Sequence, residues 1–198
     1  MQFLNHKIVK IVIKSGGVSM FLSQYIDHTI KKIKSQAANI LTIMNLSFGV
    51  CALLAVLREE YQLSLLLIFI AALSDRFDGL VARKLNIESE FGKQLDSMCD
   101  IVSFGVAPAL LTYQIVLFEY GAPGLLFTII YIVCGAIRLS KFNITENNGY
   151  FTGLPITVAG IILTFSTLWT SFLPSYIFMY IIISLALMMV GTFKLKKL

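Results

Sequence analysis

Charge is scarce in this sequence. Only 14% of its 198 residues are Asp, Glu, Lys or Arg, against 57% hydrophobic, which is too little polar side chain to coat a soluble fold of this size. Cysteine is scarce as well. Cys51, Cys99 and Cys134 are odd in number and sit in apolar runs, so no disulfide framework is implied, and Cys99 needs no role beyond that of a small apolar filler. No small-residue cleavage site follows a long apolar core near the N terminus, so no secretory signal is expected. Internal repeats and low-complexity tracts are lacking too.

Hydrophobic length is what the sequence has. Mean hydropathy is +0.82, and a spanning helix needs about 20 mostly apolar residues. Six runs qualify: roughly Ala38 to Leu57, Leu63 to Leu85, Gly92 to Leu117, Pro123 to Phe142, Pro155 to Phe172 and Pro174 to Phe193. The expected fold is all-α and integral to the membrane, with six transmembrane helices in one domain over residues 37–198. Residues 1–36 form an N-terminal extension in which Lys7, Lys10 and Lys14 alternate with Ile and Val. That pattern reads as an amphipathic segment lying on the cytoplasmic interface.

Basic residues near span ends mark the cytoplasmic side. Lys31, Lys32 and Lys34 precede span 1, Arg83, Lys84 and Lys93 flank the turn between spans 2 and 3, Arg138 and Lys141 end span 4, and Lys194, Lys196 and Lys197 follow span 6. All fall on one face if both termini are cytoplasmic, and Arg58 alone falls outside. The net charge of +5 thus reads as orientation and headgroup contact; no basic face is left for nucleic acid.

Four acids lie inside spans 2 and 3, namely Asp75, Asp78, Asp96 and Asp100. Each costs about 2.5 to 3.5 kcal/mol at a bilayer centre, so they require a partner. At 100° per residue Asp75, Asp78, Gly79, Ala82 and Arg83 share an arc of about 140°. Gly92, Asp96 and Asp100 form an i, i+4, i+8 ridge, and a short turn from Leu85 to Phe91 makes the two helices antiparallel neighbours. Four converging carboxylates without His or Cys suit Mg2+, Mn2+ or Ca2+ and poorly suit zinc. Two such ions about 3.5 to 4 Å apart would clamp a phosphoryl group under attack. Pro108 is expected to kink span 3 just beyond Asp100.

The run from Ser74 to Arg83 with Gly92, Asp96 and Asp100 matches D-x2-D-G-x2-A-R-x8-G-x3-D-x3-D at each fixed position. It resembles the CDP-alcohol phosphatidyltransferase family over spans 1 to 5. The resemblance implies six transmembrane helices, a homodimer, two divalent ions (Mg2+ or Mn2+) and a site opening to the cytoplasm of a bacterial cell membrane. By the same resemblance Asp75, Asp78 and Asp96 are metal ligands, and Asp100 is a shared ligand or the general base; Asp96 and Asp100 are the catalytic pair. Gly79 and Ala82 admit the cytidine moiety, and Arg83 meets the nucleotide or its phosphates.

Three further segments are similar to the phosphatidylserine synthase branch: Asp96-Ser97 running on to Pro108-Ala109, Arg138 to Asn143, and Phe151 to Pro155. A proline usual before span 1 is replaced by Ala38, while Asn39, Thr42 and Asn45 are in place, and Asn39 and Thr42 join the expected nucleotide-binding set. The implied substrates are CDP-diacylglycerol and L-serine, with Arg138, Lys141 and Asn143 meeting the headgroup or phosphate. Glycerol 3-phosphate or inositol phosphate as acceptor, an ether-linked donor, and a cation-transport role for the acids are the alternatives.

Overall fold

The computed structural model describes residues 39–85, 90–144, 150–191 and 194–196, without the side chains of residues 78, 81–85, 150–152 and 194–196. The N-terminal extension and the turn at residues 86–89 lie outside this description. Six principal helices occur among the described residues: α1 (Asn39–Leu57), α2 (Tyr61–Leu85), α3 (Glu90–Ile115), α4 (Ala122–Ile144), α5 (Ile156–Trp169) and α6 (Tyr176–Val190). Each corresponds to one expected span.

Helices α1, α3 and α4 are long and apolar enough to cross a bilayer. Helix α2 has 25 residues, and its second half carries the charged residues. Large apolar side chains such as Leu54, Leu66, Ile129, Val133 and Leu187 point outward. In water that surface would be prohibitive, whereas lipid accepts it. The chain is a multi-pass membrane protein.

Charge ends α1. Arg58, Glu59 and Glu60 follow Leu57; Arg58 and Glu60 donate backbone N–H bonds to the Ala55 carbonyl at 3.1 and 2.9 Å, and α2 starts antiparallel. The fifth and sixth helices are shorter than expected, ending at Trp169 and Val190 rather than Phe172 and Phe193. Hydropathy runs on past the last helical turn, but the N–H groups of Phe172 and Leu173 both turn back to the Trp169 carbonyl, at 3.0 and 2.9 Å, and so close the chain.

Two features add to the expected outline. The distortion expected in α3 is a π segment, Ile101–Val106, that begins just past Asp100 and ends ahead of Pro108; there the Ala107 N–H reaches back to the Val102 carbonyl, and α-helix resumes at Ala107–Ile115. A short antiparallel ribbon also joins β1 (Tyr150–Thr152) to β2 (Lys194–Lys196), pairing Tyr150 with Lys196 and Thr152 with Lys194. It ties the connection after α4 to the stretch after α6.

The core has two parts. Phe104, Tyr131, Leu163, Phe178, Ile182 and Met189 are fully buried where α3 to α6 meet, and α4 packs extensively against α6. A second cluster of Ala52, Val56, Ile68, Ala107 and Leu111 fastens α1 and α2 to α3. Both clusters lie beyond the acids along α3, so the acid-bearing turns rest on packed apolar layers.

Candidate metal and substrate site

Asp75, on α2, and Asp96 and Asp100, on the first segment of α3, converge. Each offers a carboxylate oxygen, and these atoms all lie within 4.8 Å of one another. Asp100 is buried, at 7% exposure, and the Asp75 and Asp100 side chains share a hydrogen bond. Three hard oxygen donors so close together repel one another unless a cation lies between them, and the donor set fits a divalent ion of the Mg2+ or Mn2+ type. The ridge spacing accounts for Asp96 and Asp100 lying on one face of α3, one turn apart.

Helix α1 supports this corner. The Ser74 hydroxyl, next to Asp75, donates to the Leu41 carbonyl at 3.3 Å, while Thr42 is buried and Asn39 half-buried at the start of the same helix. One turn further along, the Ser103 hydroxyl donates to the Asn45 carbonyl at 3.2 Å. The first two turns of α1 are thereby docked on the acid-bearing parts of α2 and α3.

Helix α4 supplies the positive charge. Arg138 is 9% exposed and interacts electrostatically with Asp100, which compensates a guanidinium that burial alone would penalise. Its side chain also lies 5.3 Å from the centre of the Phe142 ring, and the Lys93 ammonium lies 5.9 Å from the same ring. Lys141 is exposed. The Asn143 amide donates to the Ser97 hydroxyl at 3.0 Å, with the Ser97 hydroxyl 3.3 Å from the Asn143 carbonyl oxygen. Ser97 follows Asp96 in the chain, so Asn143 is joined to the acid ridge.

The structure therefore gathers Asp75, Asp96, Asp100 and Arg138, and brings Asn143 to their edge. Asp78 follows one turn after Asp75 on α2, but its side chain, like those of Ala82 and Arg83, lies outside the described residues. Gly79 and Gly92 are half-buried on the facing ends of α2 and α3. Sequence reasoning did not assign Ser97, Lys93 or Phe142 to the site. A signal existed for two of them, since Ser97 and Phe142 lie in two of the three segments that carry the serine-branch likeness.

Comparison with known proteins points to one family. The sequence profile of CDP-alcohol phosphatidyltransferases matches residues 35–192. A CDP-diacylglycerol–serine O-phosphatidyltransferase of Bacillus subtilis is 42% identical over 124 residues, covering 62% of this chain and 70% of the relative. One from Helicobacter pylori is 33% identical over 133 residues, 66% of this chain and 56% of the relative. An archaetidylserine synthase of Methanothermobacter thermautotrophicus is 35% identical over 168 residues, 82% of this chain and 71% of the relative. With the profile spanning all six helices and the three described acids of its motif meeting at one point, this chain belongs to the CDP-alcohol phosphatidyltransferase family.

Proposed function

We propose that this protein transfers the phosphatidyl group of CDP-diacylglycerol to the hydroxyl of L-serine, giving phosphatidylserine and CMP. The observation that carries the reading is the meeting of Asp75, Asp96 and Asp100 within 4.8 Å, with the Arg138 guanidinium beside Asp100. The names of the relatives support serine as acceptor: those from Bacillus and Helicobacter are serine phosphatidyltransferases, and the archaeal one makes archaetidylserine.

Asp75, Asp78, Asp96 and Asp100 would hold the metal, two ions of Mg2+ or Mn2+. Bound there, such ions neutralise a pyrophosphate and stabilise the charge on a departing nucleotide phosphate. Asp100 takes the proton of the serine hydroxyl as its oxygen attacks phosphorus, and the phosphorus–oxygen bond to CMP breaks in line. A positioned base of this kind contributes typically 10²- to 10⁴-fold. Gly79 and Ala82 let the cytidine approach α2, Arg83 meets its phosphates, and Asn39 and Thr42 close the nucleotide pocket from α1. Arg138 and Lys141 draw in the serine carboxylate, and Asn143 acts by holding Ser97 and the acid ridge against α4.

The distribution of basic residues supports a cytoplasmic orientation for the site and both termini at the cell membrane; we further propose residues 1–36 as an interfacial segment ahead of the membrane domain at 37–198, and a dimer of two copies. The test is CMP release by purified protein with CDP-diacylglycerol and Mn2+ or Mg2+, offering L-serine, glycerol 3-phosphate and inositol phosphate separately, and repeating with an ether-linked donor. Release stimulated by serine alone and abolished in Asp96→Asn is expected. Stimulation by another acceptor would discard serine and keep the metal site.

A further inference from the structure

The π segment of α3 begins immediately after Asp100, which is itself an ordinary helical residue at φ −60° and ψ −39°. A π turn carries one residue more than an α turn, so it rotates everything on its N-terminal side relative to the helix beyond it. In α3 that side carries Asp96 and Asp100, and the other carries the buried Ala107, Pro108, Ala109 and Leu111. The turn therefore lets the acids face α2 while the lower half of the helix keeps its apolar face in the core.

Such a turn needs support, because Pro108 has no N–H to offer the Phe104 carbonyl, its α-helical partner four residues back. The structure supplies another donor. The Tyr131 hydroxyl of α4 donates to the Phe104 carbonyl at 3.2 Å, and both residues are fully buried. On the far side α5 passes Phe104 at Gly160, where a Cβ would come within 2.6 Å of the same carbonyl oxygen and 2.9 Å of the Phe104 Cα. The Phe104 carbonyl is thus held by a hydrogen bond from α4 and a backbone contact from α5.

We propose that Tyr131 is a positioning residue for the transfer: by binding the Phe104 carbonyl it keeps the π turn open and so aims Asp100 at the site shared with Asp75 and Asp96. The inference rests on the metal reading of that site. It is tested by titrating the purified protein with Mn2+ alone, without substrate, and following free Mn2+ by electron paramagnetic resonance. Tyr131→Phe removes only the hydroxyl, and binding at least fivefold weaker than wild type is expected, with less than a twofold change in KM for CDP-diacylglycerol at saturating Mn2+. Pro108→Ala restores the missing N–H and lets the segment close as α-helix. It is expected to weaken Mn2+ binding as much while keeping the thermal midpoint of the wild type or exceeding it, which separates aim from stability. Wild-type Mn2+ affinity in Pro108→Ala, or in folded Tyr131→Phe, would overturn the proposal. Failure of the wild type to bind Mn2+ would overturn both it and the metal reading.

Discussion

Replacing Asp75 with Asn should stabilise the metal-free protein while destroying its activity. Two ionised carboxylates no more than 4.8 Å apart repel by about 3.5 kcal/mol or more at an effective dielectric near 20. Asp75 faces two such neighbours, so its neutralisation removes two of the three repulsions in the cluster. The isosteric amide can still donate to Asp100, preserving the hydrogen bond that links the two side chains, and the Arg138 charge keeps Asp100 as its partner. Proton sharing among the acids reduces the repulsion available, so a net gain of about 1 to 3 kcal/mol is expected. At about 2 to 4 °C per kcal/mol for a chain of this size, the unfolding midpoint in detergent with EDTA should rise by several degrees. With Mn2+ the order should reverse, since the wild type gains binding energy that the variant cannot. A lower midpoint for Asp75→Asn than for wild type in EDTA would refute the idea that these acids are held together against their own repulsion.

Gly160→Ala pushes a methyl group to 2.6 Å from the Phe104 carbonyl oxygen; a loss of about 1 to 3 kcal/mol is expected from overpacking at a backbone crossing, measured as a lower thermal midpoint. Gly153 sits at φ +76° with its Cβ direction 2.5 Å from the Met189 carbonyl oxygen, so Gly153→Ala should cost at least about 1 to 3 kcal/mol, and an unchanged midpoint would contradict this backbone. Asn143→Ala breaks the pair with Ser97 and should lower serine-dependent turnover severalfold with little change in stability; full turnover would show that the pair does not steady the acid ridge. In a background lacking Cys51, Cys99 and Cys134, Glu60→Cys in the exposed turn between α1 and α2 should react with an impermeant maleimide added to intact cells, and labelling only after lysis would invert the orientation.

The helices were legible because apolar length is a one-dimensional property. Each expected span has its helix, and errors fall at the ends of α5 and α6, where Phe172 and Phe193 continue the apolar run beyond the last turn. The acid constellation was legible for a similar reason: spacing along α2 and α3 fixes which face a carboxylate occupies. Contacts between helices remote in sequence were not. The links from Ser97 to Asn143 and from Tyr131 to Phe104 join α3 to α4 through side chains whose types are ordinary in membrane helices. Pro108 advertised a distortion, but its form, a π turn whose Phe104 carbonyl meets a hydroxyl from α4, was not written in the spacing. The ribbon escaped notice because Tyr150–Thr152 and Lys194–Lys196 lie in polar connections with three residues each, too short for a period-2 pattern.

That ribbon has a practical side. Because β2 pairs with the connection that follows α4, the end of the chain is physically coupled to the helix that presents Arg138 and Asn143. An affinity tag or fluorescent fusion appended after Leu198 would begin two residues beyond a paired strand, and any drag on it is transmitted to that rim of the site. A tag at the opposite end avoids this load, and a difference in turnover between the two tagged proteins would report how firmly the rim is moored.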